Sequence, residues 1–257
     1  MIISNIQVWT NLGWLDPGDL SPGMRVISYS GSRRCCEYDE IHEIYQEYTN
    51  LKGLLGIKSK NMRIWYSPDH PLLLENEGAV SWTPIQDIFM RQGSCIISKP
   101  FEPYGSSADL EDIKWSARYM AMFSREKYMP QKEYAEIKKL VRDIVGHEAQ
   151  EWLQEFYRWN ILIRGVNWMK SALTRNRDIR DTMLHIAPRA GVGFCWWPML
   201  HSRMRAARIT TLGNINLNKT TYGMKDYSGL MFDIKTKNKN YLVKYRNSAF
   251  LVASNLG

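Results

Sequence analysis

Cysteine is scarce: Cys35, Cys36, Cys95 and Cys195 are the four in the chain. None forms a Cys-x-x-Cys pair and no histidine cluster stands at zinc-ligand spacing, which argues against a structural zinc site and a disulfide framework. No apolar run is long enough to cross a bilayer, so no membrane partner is expected. Met1 to Thr10 lacks a basic start followed by an apolar stretch, so no signal peptide is expected, and the reading is a reducing, cytoplasmic setting. Internal repeats and low-complexity tracts are also missing. Acid is the minority charge, with 26 Asp and Glu against 34 Lys and Arg, for a formal net charge of +8. That deficit favours a polyanionic partner.

What is present fits a folded globule. Hydrophobic residues make up 44% of the 257, with 10 Trp and 14 Tyr spread along the chain. The length lies between one large domain and two smaller ones. The first stretch is β-like, with short apolar runs at Gln7-Val-Trp-Thr, Arg25-Val-Ile-Ser-Tyr, Met62-Arg-Ile-Trp-Tyr and Cys95-Ile-Ile-Ser. Turn formers such as Asp16-Pro-Gly, Ser21-Pro-Gly and Glu75-Asn-Glu-Gly separate them.

After Pro100 to Ser107 the pattern turns helical. Asp109 or Ser107 is placed to cap a helix through Ile113, Ala117, Met120, Ala121 and Phe123, ended by Pro130. Further helices are expected at Tyr134 to Ile144, Glu148 to Tyr157 and Arg177 to Ala187. Ile161-Leu-Ile-Arg and Phe194-Cys-Trp-Trp read as strands between them. From Gly229 the chain returns to β, with strands at Leu230 to Lys235, Tyr241 to Tyr245 and Ala249 to Ala253. The pattern is that of one domain inserted into another: a β domain in two halves, 1–104 and 226–257, and a basic insert, 105–225.

The insert holds the densest positive charge. Between Arg158 and Arg208 only Asp178 and Asp181 oppose a series of arginines and lysines, and Trp159, Trp168, Trp196 and Trp197 interleave with them. Such a stretch suits a nucleic-acid surface or, equally, a solvated helix face beside an aromatic core.

The outer segments carry a resemblance. Gln7-Val-Trp-Thr, Gly13-Trp-Leu and Asp19-Leu-Ser-Pro-Gly-Met-Arg-Val resemble the opening block of inteins. Tyr66-Ser-Pro-Asp-His-Pro-Leu-Leu resembles the second block, with Ser67 in place of its threonine and His70 as its histidine. Met231-Phe-Asp-Ile-Lys, Asn240-Tyr-Leu-Val and Phe250-Leu-Val-Ala-Ser-Asn255 look like the closing blocks. The resemblance implies an α+β protein: an all-β Hint (intein-like) horseshoe split by an inserted α/β domain. It also implies self-processing chemistry, in which Ser67 and His70 polarise the first peptide bond and Asn255 cyclises through its side-chain amide. Two positions depart from the pattern. Met1 stands where the family has a nucleophile, and a thioether cannot fill that role. Leu256 follows Asn255 where Cys, Ser or Thr is called for. Full splicing is therefore not expected.

Large inteins carry a LAGLIDADG homing endonuclease between their β halves, and the insert lies at that place. Tyr119-Met-Ala-Met-Phe-Ser-Arg-Glu-Lys resembles the motif in apolar spacing, with Ser124 in place of its first acid and Glu126 as the closing acid that would hold magnesium (Mg2+). Met183-Leu-His-Ile-Ala-Pro-Arg-Ala-Gly resembles a later helix of such a module. Trp152 to Asn160 has the texture of a second motif but carries Asn160 where an acid is needed, at a short separation. On one motif alone, two carboxylates would require a homodimer. The leading expectation is thus a free-standing, intein-derived endonuclease cutting double-stranded DNA. Arg164, Lys170, Arg175, Arg203, Arg205 and Arg208 are its candidate DNA contacts. The alternatives are an inactive DNA-binding protein on a Hint scaffold, or a residual self-processing domain using Ser67, His70 and Asn255.

Overall fold

The computed structural model describes residues 2–3, 5–58, 63–76, 79–90, 94–95, 109–164, 171–198, 207–212, 215–216, 221–245, 248–254 and 256. Chain contacts divide it into two units, Met1–Ser98 with Gly213–Gly257, and Lys99–Leu212. The junctions drawn from the sequence stand at 104/105 and 225/226.

In the first unit the chain forms β1 (Ile2–Ile3), β2 (Gln7–Thr10), β3 (Gly13–Leu15), β4 (Arg25–Ser30), β5 (Cys35–Glu40) and β6 (Glu43–Lys58). There follow β7 (Arg63–Tyr66), β8 (Pro71–Asn76), β9 (Ala79–Pro84) and β10 (Ser94–Cys95). The second unit contributes α1 (Leu110–Met122), α2 (Gln131–Asp143), α3 (Gly146–Arg164), β11 (Ser171–Thr174), α4 (Arg177–Arg189), β12 (Gly193–Pro198) and β13 (Ala207–Leu212). The chain returns to the first unit through β14 (Ile215–Asn216), β15 (Thr221–Lys235), β16 (Asn240–Tyr245) and β17 (Ser248–Ala253).

Three arrangements of strands build the first unit. β1, β15, β6 and β7 close into a small barrel. β6 and β15 form a long antiparallel ribbon, broken by one bulge between Lys225 and Tyr227. Lys52 and Gly53 of β6 stand opposite Asp226 alone. The Asp226 carboxylate accepts the Gly53 N–H at 3.1 Å, and Gly53 has φ +80, a conformation glycine adopts without steric cost. Gly56 lies opposite Trp65 on β7. A Cβ there would stand 2.6 Å from the indole, so the ring can lie across the strand only where a side chain is missing. A second sheet runs β14–β10–β8–β9. In it β10 and β14 are antiparallel, with Ser94 opposite Asn216 and Cys95 opposite Ile215. A third run pairs β17, β16, β2, β4 and β5, with β3 folded back on β2. β4 is covered on both faces: Val26, Ile27, Ser28, Tyr29 and Ser30 are all buried.

Asn240 joins β16 to β4. Its side chain accepts the Tyr29 N–H at 2.6 Å and donates to the Tyr29 carbonyl at 2.8 Å and the Asn238 carbonyl at 2.6 Å. It is fully buried and serves as one rung of backbone pairing.

In the second unit α1 packs on α3 through Ile113, Ala117, Met120 and Ala121, a buried stripe at helical spacing. Asp109 caps α1, its carboxylate accepting the Glu111 N–H at 2.9 Å. Inside, Trp152 donates its indole N–H to Ser116 Oγ at 2.9 Å. Asn176 caps α4 by accepting the Asp178 and Ile179 N–H groups. Arg189, fully buried, donates to the carbonyls of Arg142 and Ile144 at the end of α2. β11, β13 and β12 form an antiparallel sheet in that order.

Several elements differ from the sequence expectation. Ile161 to Arg164 is the last turn of α3, not a strand. Pro130 does not end the first helix. α1 stops at Met122, and Pro130 opens α2 as its N-cap. Pro188 lies inside the last turn of α4. β15 begins at Thr221, before Gly229, and β6 is a strand that apolar patterning alone passes over.

Candidate active site

β1 is the shortest strand of the barrel and the most enclosed. Ile2 lies opposite Tyr66 on β7 and Phe232 on β15, and Ile3 opposite Met231. Both pairings are antiparallel. One residue further along each neighbour, in the direction from which β1 starts, come Ser67 and Asp233. The two flank the point where the chain enters the barrel.

Ser67 and His70 share a tight turn. The His70 N–H donates to the Ser67 carbonyl at 2.9 Å, the Ile85 N–H to the His70 carbonyl at 2.9 Å, and the Gln86 N–H to the Pro68 carbonyl at 3.3 Å. Pro68 fixes its own φ and stiffens the turn. The His70 ring stacks on Tyr66, with centroids 4.6 Å apart and planes inclined by 21°. His70 is fully buried and Ser67 nearly so. Burial pushes the His70 pKa well below its ordinary 6.5, with the positive amino terminus a second cause. The imidazole is therefore neutral near pH 7, able to give an N–H hydrogen bond and to accept a proton only at a cost.

A depressed histidine pKa makes the fold acid-sensitive. The unfolded chain protonates this group near 6.5 while the native chain does not. Stability is therefore present above that pH and is lost as pH falls toward the depressed native value. Urea midpoints measured from about pH 8 to about pH 5 are expected to fall more steeply in the parent protein than in His70→Gln. Equal slopes would show that His70 takes up its proton in the native state.

Asp233 completes the other flank. Met231, Phe232, Asp233 and Ile234 are all buried, so both faces of β15 are covered here and the carboxylate needs internal partners. Asp233 Oδ1 accepts the Tyr241 hydroxyl at 3.1 Å and the Ile234 N–H at 2.9 Å. Burial pushes the Tyr241 phenol well above its ordinary 10.0, the Asp233 charge and hydrogen bond act in the same direction, and Tyr66 adds to it. Tyr241 thus stays protonated and lies electrostatically next to Tyr66. Asp233 falls in the closing-block resemblance but has no role assigned by it. A lone acid in the apolar run Met231-Phe-Asp-Ile was the available signal.

Asn255 lies outside the described residues. Its neighbours are anchored: the Ser254 N–H donates to the Lys239 carbonyl at 2.8 Å, and the Leu256 N–H to Ser254 Oγ at 3.0 Å.

The expected nuclease residues fall elsewhere. Glu126 follows the 3-10 turn Phe123–Arg125 in extended conformation and is exposed. Among the described residues no group of three or more His, Cys, Asp or Glu could hold a metal ion. Ser124 is fully buried. Its Oγ accepts from Asn160 on α3 at 2.6 Å, and its carbonyl accepts the Arg175 N–H and the Thr174 hydroxyl. Trp152 to Asn160 therefore packs beside the Tyr119 to Lys127 stretch within one chain, at a separation that the sequence reading took as too short. Of the DNA candidates, Arg175 is exposed, Arg164 closes α3 and Arg208 lies on β13. Lys170, Arg203 and Arg205 lie outside the described residues. No helix among the described residues is long and apolar enough to cross a membrane.

No protein-family model and no curated protein matches the sequence. Solved structures do. A splice-inactive variant of the AceL NrdHF class 3 split intein aligns with 99% of this chain and 98% of its own, at 7% identity and a TM-score of 0.47. The bacterial intein-like domain from Clostridium thermocellum aligns over 98% and 96%, at 9% identity and 0.41. A DnaB intein from Synechocystis sp. PCC 6803 aligns over 99% and 98%, at 6% identity and 0.42. The structural neighbours are intein and intein-like domains.

Proposed function

We propose that the first unit is a peptide-bond-activating, self-processing domain of the Hint type, with its nucleophile missing. One observation carries this reading: the barrel register sets the start of β1 between Ser67, beside buried His70, and buried Asp233. A peptide bond entering there meets a neutral imidazole, a carboxylate and little water, conditions in which hydrogen bonds to a reacting carbonyl are strong. The Met1 thioether has no proton to lose and cannot attack that carbonyl. The reaction left to the chain is at Asn255. Its Nδ2 attacks its own main-chain carbonyl carbon and the bond to Leu256 breaks. The proton lost from Nδ2 passes to the departing nitrogen, leaving a succinimide.

The test fuses a passenger domain ahead of Met1. With Met1→Cys, the introduced thiolate can attack the preceding carbonyl, giving a thioester that an added thiol captures to release the passenger. Release is expected from Met1→Cys and not from the parent fusion. In the same samples mass spectrometry would follow loss of Leu256-Gly257, which Asn255→Ala should abolish. A Met1→Cys fusion that stays intact in thiol would sink the reading.

A second reading concerns the other unit, for which Ser124 and Asn160 supply the observation. The two helices that resemble nuclease motifs pack together and meet there in a neutral hydrogen bond, where metal-dependent cleavage needs carboxylates. The unit holds 19 of the 34 basic residues and 13 of the 26 acidic ones. This favours a DNA-binding unit without cleavage over an endonuclease using Glu126 and magnesium. Duplex DNA is expected to bind with an affinity that falls steeply between about 50 and 200 mM salt, and to stay intact with magnesium. Nicking that Glu126→Gln abolishes would reinstate the endonuclease. An affinity insensitive to salt would remove the DNA reading.

A further inference from the structure

We propose that Tyr241 is a positioning residue that holds the Asp233 carboxylate ready near the start of β1. The inference rests on the self-processing reading. Asp233 is an acid enclosed in the apolar centre of β15, and its two described partners at Oδ1 are the Tyr241 hydroxyl, at 3.1 Å, and the neighbouring Ile234 N–H, at 2.9 Å. The main-chain donor is fixed by the strand. The phenol is the donor supplied by side-chain chemistry, and it comes from another strand, β16.

Tyr241 is itself held. It is fully buried, and its ring meets Phe232 edge-on with centroids 6.3 Å apart and planes at 87°. On the opposite neighbour of β1, the Tyr66 ring lies 4.6 Å from that of His70. Burial keeps His70 in its neutral form. The Tyr241 phenol, itself held protonated, donates a hydrogen bond to the Asp233 oxygen across the working range, and a hydrogen bond to a carboxylate favours its charged form. Without it, a buried carboxylate with one fewer donor takes up a proton more readily.

Two measurements test this. In the Met1→Cys passenger fusion, Tyr241→Phe is expected to release the passenger roughly tenfold more slowly near neutral pH. The acid side of its pH profile should move to higher pH, so that much of the rate returns in alkali. A merely structural role would lower the rate at all pH values without moving the profile. Superimposable profiles from a folded Tyr241→Phe protein would overturn the proposal. The second readout needs no activity. Ultraviolet titration of the full chain should show one tyrosine ionising at lower pH in Asp233→Asn than in the parent, and that tyrosine should be missing from the Tyr241→Phe, Asp233→Asn double variant. If the Met1→Cys fusion releases nothing, the self-processing reading falls, and this titration still decides the coupling. No change in tyrosine ionisation would overturn it.

Discussion

In the Met1→Cys passenger fusion, His70→Ala is expected to slow thiol-induced release by at least about 100-fold, equivalent to about 2.7 kcal/mol of transition-state stabilisation. His70 is buried to the last atom and its charged form is disfavoured. The imidazole therefore serves through its N–H and its fixed orientation rather than as a cation. Donors of this kind gain strength in a site closed to water, because the field around them is poorly screened and nothing reorganises as charge develops. The ring is held by the stack on Tyr66, and its main chain by the bonds to Ser67 and Ile85. His70→Gln keeps an N–H donor of similar reach and should fall between the Met1→Cys fusion with His70 intact and its alanine variant. A rate in His70→Ala equal to that of the Met1→Cys fusion with His70 intact, in a protein with an unchanged urea midpoint, would remove His70 from the chemistry.

The largest effect on folding is expected at Asn240. Asn240→Ala takes away three hydrogen bonds at once, two buried ones with the Tyr29 main chain and a partly buried one with the Asn238 carbonyl. Each buried main-chain group left without that partner costs about 1–3 kcal/mol, so the sum is on the order of 3–5 kcal/mol once some relaxation is allowed. Domains of this size are stable by roughly 5–15 kcal/mol. The variant should therefore unfold at much lower urea, or be recovered only as aggregate. Asn240→Leu distinguishes lost bonds from lost volume: it fills the space without pairing and should be as unstable as alanine. A leucine variant close to the parent would show that packing, not pairing, joins β16 to β4.

Much of the first unit could be read from the sequence, because its strands announce themselves by apolar runs between turn formers. β2, β4, β16 and β17 are of this kind. β6 was harder. Its first half, Glu43-Ile-Tyr-Gln-Glu-Tyr-Thr-Asn, faces solvent and carries little apolar signal, and its strand character comes from pairing with β15, far away in the chain. Asp233 and Tyr241 as a pair were illegible for the same reason, since their bond depends on how two strands are brought together. In the second unit Ile161 to Arg164, an Ile-rich run, continues the helix that precedes it, and β propensity alone is a weak guide there. Asn160 was dismissed for want of a charge. Its role is seen only when α1 lies beside α3 and Ser124 supplies the partner.

The antiparallel pairing of Cys95 with Ile215 gives the first unit a socket. The chain departs and comes back at neighbouring rungs of one ladder, so whatever is spliced between them takes the place of a hairpin loop. The entropy of closing a loop grows only logarithmically with its length. A cargo of a hundred residues therefore burdens the host little more than one of twenty, provided that its own ends lie together.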